Sequence, residues 1–463
     1  MNKKTFFNTY LFLLFGFSIV LFLGSCVNQD GCTEITALNY DPAADQDDGS
    51  CLYELVTPTT YQFERGDSNV VIFEGGVGSS VFYELASVSH LLINDLDLII
   101  EGLADVDGVS IEAANLLGYY NTSGFEQTIT TRITGFSAFQ NTFVEVSSAG
   151  SLVSGINNSF GAGDSILAWL DTIVVYSQDL SKLGTSGVYT TENGLDLKEI
   201  VHTALLGAVV YHNAVQQIIE AEDASSSSLV SGTNYTAQEH AWDLVMGYFG
   251  AARNYSLCSD EELASADFVA KDIVDEEGDF DGLLDWTSEY SFEFSRMAAE
   301  RDLSAPDRDF TSQLFSLLLQ GRTAITNKNI VETDLGFDLT FNVVADSLDL
   351  VLEQLVAANL IHFVNTTLQK MEKLGTVDED IAGLNCEWAS MLGFAQMLQY
   401  RNTLGDTPLT TDILEDMFTS IGDFPNYALA GSSEQLVYIE ELTMVKKILR
   451  DTYEFSAIEV ANW

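Results

Sequence analysis

Glu239-His240-Ala241-Trp242-Asp243 sets an imidazole and two carboxylates within about one helical turn. Side chains three or four residues apart share a helix face. His240 with Asp243, and Glu239 with Asp243, could therefore offer donors to one transition metal, iron or zinc. His212 lies on the preceding apolar stretch, with Gln216 and Glu220 on the same face, and could join them; so could His362. The chemistry would be that of a metal-dependent hydrolase, most simply a peptidase. The plainer reading makes each histidine a hydrogen-bonded packing residue. No His-Glu-x-x-His motif, phosphate-binding glycine loop or Gly-x-Ser-x-Gly elbow occurs.

Two acidic loops carry a different chemistry, that of calcium. With Gly282 taken as the obligatory glycine of an EF-hand loop, Glu277, Asp279 and Asp281 fall on the first three ligand positions. Leu283 offers its carbonyl, Leu284 is the apolar residue and Asp285 takes the ninth position. Ser288 stands at the twelfth, with Glu289 one residue late. The second loop lies in Gly31–Tyr53, where Asp41, Asp45, Asp47 and Asp48 precede Gly49. Alternate oxygens on a turning loop suit calcium. That segment is too short for a core of its own and needs a bridge or a metal.

Cys32 and Cys51 bracket it. Four cysteines beyond Cys26 allow three full pairings, and Cys32–Cys51 is expected, with Cys258 and Cys386 as unbridged thiols. On the chain-entropy model, closing that loop stabilises it by about 3 kcal/mol. The segment also resembles a short module at the surface of Gram-negative secreted proteins, with Gly-Cys-Thr, Ala-x-Asn-Tyr-x-Pro-x-Ala and Asp-Asp-Gly-Ser-Cys. Leu38 stands where that module carries a middle cysteine, so one bridge is available.

The disulfide needs an oxidising compartment, and the start of the chain supplies the route. Lys3 and Lys4 precede the apolar run Tyr10–Leu23, and Leu23-Gly24-Ser25-Cys26 closes it. This is a lipoprotein signal, residues 1–25, with lipid expected on Cys26. Phe6–Leu23 could alternatively stay as a transmembrane anchor. Either way the body is extracytoplasmic; the expectation is an outer membrane lipoprotein, periplasmic or surface-exposed, tethered by its lipid. The chain has 69 acidic and 19 basic residues, a net charge of -50. Nucleic acid is excluded as a partner, and an anionic bilayer would repel the body. Such charge costs stability unless salt or divalent cations screen it.

The elements that must position these residues are helical. Apolar residues recur at helical period over Leu195–Ala221, Thr236–Arg253, Phe310–Lys328, Asn342–Leu374, Cys386–Leu404, Thr411–Ile421 and Ser433–Tyr453. Asn193 and Asp307 read as helix caps. Short alternating runs over Val56–Phe73 predict a small hairpin around Arg65-Gly66-Asp67. Gly135–Gly163 and Ala224–Gly232 read as loops. The expectation is an all-α helical bundle with a short β-hairpin at its start. A lipidated linker with the disulfide-bracketed module (26–55) precedes the helical body (56–463).

Several stretches together resemble a family of Gram-negative lipoproteins known as a domain of unknown function. They include Thr60-Tyr61-Gln62-Phe63-Glu64-Arg65, Leu205-Leu206-Gly207-Ala208-Val209-Val210-Tyr211-His212 and Glu239-His240-Ala241-Trp242-Asp243. Gly247-Tyr248-Phe249-Gly250, Asp279-Phe280-Asp281-Gly282, Arg301-Asp302, Gly321-Arg322-Thr323-Ala324-Ile325 and Ile361-His362 complete the set. The family is similar to the helical imelysin-like proteins and accompanies iron or haem uptake systems. The resemblance implies a binding protein accessory to such a system, with a protein partner there. The imelysin signature Gly-x-His-x-x-Glu is not matched, so peptidase activity is not implied.

Overall fold

The computed structural model describes residues 29–463 except 36, 38–39, 49–50, 52–54, 64–78, 122–128, 131–141, 144–161, 225–227, 267, 269–285, 287, 332–333 and 403–407. The described chain is mostly helical, as expected. In order the helices are α1 (Glu84–Gly102), α2 (Ala113–Asn121), α3 (Ala162–Ser177), α4 (Leu197–Leu205), α5 (His212–Asp223), α6 (Ala237–Phe249) and α7 (Asp260–Leu263). Then come α8 (Glu293–Ser304), α9 (Phe310–Val331), α10 (Asp334–Met371), α11 (Ile381–Met397), α12 (Thr411–Ile421), α13 (Ser433–Tyr453) and α14 (Ala457–Asn462). A π segment, Leu206–Tyr211, runs without a break from α4 into α5.

The long helix α10 is the axis of the bundle. It packs on α9, α11 and α13 and reaches α5 and α8. Within it Thr340–Met371 is long and apolar enough to cross a membrane, yet 67% of its most apolar window is buried in the fold. Leu348, Leu352, Leu355 and Val356 within it are buried against protein, while Val343 and Leu350 are exposed. Close helix contact is set by small residues. A Cβ on Gly393 of α11 would meet the Thr203 hydroxyl of α4, and one on Gly321 of α9 would meet the Trp242 ring of α6.

Caps explain where several helices begin. Thr410, Ser432 and Ser456 accept from backbone amides of α12, α13 and α14. Two expected caps are corrected. Asp196, not Asn193, accepts from the amides of Lys198 and Glu199 at the start of α4, because Gly194 (φ +86°) turns the chain in between. At α9 Asp309 accepts from Ser312 N, and Asp302 from the amides of Phe310 and Thr311, in place of Asp307.

Strand is confined to two short pairs among the described residues. β1 (Asp30–Gly31) pairs in parallel with β2 (Gln46–Asp47), beside the Cys32–Cys51 disulfide. β3 (Ile129–Thr130) pairs antiparallel with β4 (Thr142–Phe143). The described part of the expected hairpin, residues 56–63, forms no strand: Tyr61 and Phe63 plunge into the core. Residues 64–73 of it lie outside the described residues, as do Cys26 and the leader.

Candidate functional site

Glu239 and Asp243 do share a face of α6, but what they meet is Arg322 of α9. Nη1 of Arg322 lies 3.0 Å from Glu239 Oε1, and Nε lies 2.8 Å from Asp243 Oδ1. All three side chains are sealed from solvent. Glu239 also closes a capping box with Thr236. Asp243 accepts from the Tyr61 hydroxyl and the Phe82 amide. Arg322 donates further to Thr326 and Ser80 and lies over the Phe63 ring. Burial raises the Asp243 carboxyl to about 6, against the pull of Arg322. This is an interior ion pair stitching Tyr61, Ser80 and Phe82 to α6 and α9; it leaves neither carboxylate for a metal.

His212 and His240 are placed apart in chemistry. His240 Nδ1 bonds the Phe82 carbonyl at 3.0 Å, and its ring stacks on Tyr235. The His212 ring sits against Tyr400. Burial lowers both pKa values. Among the described residues no three His, Cys, Asp or Glu side chains converge as a metal would require. The expected set His212, Glu239, His240 and Asp243 is therefore not assembled, because the carboxylates serve Arg322 and the imidazoles serve packing.

The acidic loops give less. Glu277, Asp279, Asp281, Leu283 and Asp285 lie outside the described residues; Glu289 is described and buried. In the N-terminal module Asp41 accepts from Ala43 N and Gln29 Nε2, which closes its own turn. Asp45, Asp47 and Asp48 are exposed on that loop.

One histidine passed over by spacing alone carries charge. His202 of α4 lies 2.7 Å from Glu293 of α8 and 3.9 Å from Asp97 of α1. Burial would lower its pKa, but Glu293 and Asp97 outweigh it and lift the imidazole to about 9. Lys198, one turn earlier, faces Asp97 and Glu199. The i, i+4 pair of Lys198 and His202 is visible in the sequence, as is Glu199; Glu293 and Asp97 come from other elements. His90 and His362 go the other way, driven by burial to about 4 and about 3.

An open cleft of about 670 Å³ is one of the described cavities. That is ordinary for a small-ligand site. It forms where α7 and the end of α8 meet the start of α9, and four carboxylates line it: Asp260, Glu261, Asp302 and Asp309. Asp302 is fixed by the α9 amides and raised to about 6 by burial. Asp260 and Asp309 both accept from the Thr311 hydroxyl. The one guanidinium on its wall, Arg308, points Nε at Glu459, 2.7 Å away. On that wall burial raises the Cys258 thiol to about 11, and Ser256 donates to the Thr59 carbonyl. The wall of the cleft is thus mainly acidic. Sequence reading misses it because its acids come from three separate elements.

The molecule is thus an all-α bundle with an acid-lined cleft at the head of α9. Residues 176–413, just over half of the chain, match the family model described as Domain of unknown function (DUF4856), and the chain belongs to that family. The matched stretch holds Arg322, both its acids, His202 and the whole cleft; Tyr61 and Asp97 lie outside it. Comparison with curated proteins and comparison with solved structures each return no match.

Proposed function

We propose that this chain is a lipid-anchored, extracytoplasmic binding protein whose α7–α9 cleft takes a cationic or metal-linked ligand. The observation that carries the reading is the cleft's charge: four carboxylates, with its single guanidinium drawn off by Glu459. Imelysin-like relationship and service to an iron or haem uptake system belong to the same proposal, as do calcium in the two acidic loops and lipid on Cys26. Against the hydrolase alternative stands the use of two of its residues, Glu239 and Asp243, in the Arg322 ion pair.

Calorimetric titration with a short oligolysine, ferric iron, zinc, calcium and haem tests it. At least one should bind, and the double substitution Asp260→Asn, Asp309→Asn should weaken that binding about tenfold or more. Binding by none, or equal binding by the variant, overturns the cleft. Cys26→Ser should release the protein from the membrane fraction; unchanged anchoring overturns the lipid.

A further inference from the structure

We infer that Asp349, Glu353 and the phenol of Tyr211 form an oxygen-lined site inside the bundle that takes a hard divalent cation. The inference concerns a place remote in sequence from the cleft's walls and is independent of the cleft's ligand.

Tyr211 closes the π segment, all six residues of which are buried. A π turn carries one extra residue and re-aims the side chains beyond it, and such turns recur at functional sites. Tyr211 is fully buried, yet its hydroxyl has no hydrogen-bond partner. A buried hydroxyl is normally satisfied. The charged groups that act on this phenol are, in order, Glu353, Asp349, Tyr453 and Arg401.

Those acids form the second half of the argument. Asp349 and Glu353 are four residues apart on α10 and so share a face. Asp349 is half-buried and its carboxylate accepts from Asn402, but its Oδ1 is shut off from water and has no partner. Glu353 is buried and accepts from the Tyr453 hydroxyl at 2.6 Å. The nearby guanidinium of Arg401 is turned to backbone, Nε to the Leu409 carbonyl and Nη1 to that of Leu398. Glu222 and Asp346 add further negative potential at Asp349. Burial first, then Glu353, raise Asp349 to about 7. Acidic groups outnumber basic ones here, and two buried oxygen atoms lack a hydrogen-bond partner.

A hard cation answers both deficits, since carboxylate oxygens with water suit calcium, magnesium and manganese, and the neutral phenol oxygen would face the ion or one of its waters. The set has two carboxylates, not three, so water would complete the shell. A trapped water alone is the competing occupant.

The test uses the full chain stripped with a chelator and titrated with manganese, magnesium and calcium. Wild type should bind one more equivalent of at least one ion than Asp349→Asn, whatever the acidic loops bind. Tyr211→Phe should weaken that extra equivalent about tenfold. Without metal, Asp349→Asn should melt no lower than wild type, because it removes a buried like charge. Should it fail to fold, Glu353→Gln is read the same way. Equal stoichiometry and affinity in wild type and variant, or no ion bound by wild type, overturns the site and leaves water as its occupant.

Discussion

Removing the guanidinium of Arg322 would leave Glu239 and Asp243 as two like charges in a dry interior. Breaking one side of a buried ion pair costs about 3–5 kcal/mol, whereas exchanging the whole set for apolar residues can be neutral. Arg322→Met should therefore lower stability in urea unfolding by that amount. A loss under about 1 kcal/mol would show that the pair does not hold the core. His202 gives a second expectation at this scale. Its folded pKa of about 9 lies above the usual 6.5, so its contribution is complete below pH 6.5 and fades as pH rises through 9. Stability should fall on the order of 2 kcal/mol between neutral pH and pH 10. Glu293→Gln, which removes the nearest carboxylate, should flatten that fall.

Among the elements, glycine decides how near the helices lie. Gly321→Ala pushes a methyl into the Trp242 ring, and Gly393→Ala pushes one into Thr203. Overpacking of this kind costs about 1–3 kcal/mol, so each should lower the melting temperature. Gly102→Ala, at the end of α1 with open space around it, should leave it unchanged or raise it. Helices are legible in the sequence where one face is apolar and the ends are capped: Thr411–Ile421 and Ser433–Tyr453 have the limits their pattern predicts. α1 is not legible, because His90, Asp95 and Asp97 are buried along with its leucines, which blurs any stripe. The start of α10 lies earlier than its pattern predicts, since residues 334–341 give little periodicity. The π segment carries no signature in the sequence. At the sites, local spacing is legible and long-range pairing is not: Arg322 lies 79 residues from Asp243, and the cleft's acids span 260–309.

For the whole molecule, charge is the governing quantity. A net charge of -50 means that the folded state works against its own repulsion. Raising sodium chloride from about 50 to about 500 mM should raise the melting temperature through screening; a flat or falling response would place the acids in compensated pairs. The disulfide acts on a smaller part. It closes the loop Cys32–Cys51 ahead of the helical body, so reduction should loosen that module and spare the bundle's own transition.

The Arg322 ion pair also has a mechanical side. Tyr61 and Ser80 are both hydrogen-bonded into it, and Phe63 lies under the guanidinium. A pull on the N-terminal end meets first the backbone of Leu55, bonded both ways to Asn327 of α9, and then Tyr61, deep in the bundle. Stretched between two handles, the molecule should let out the short leading segment at low force. It should then hold firm until α6 and α9 part together.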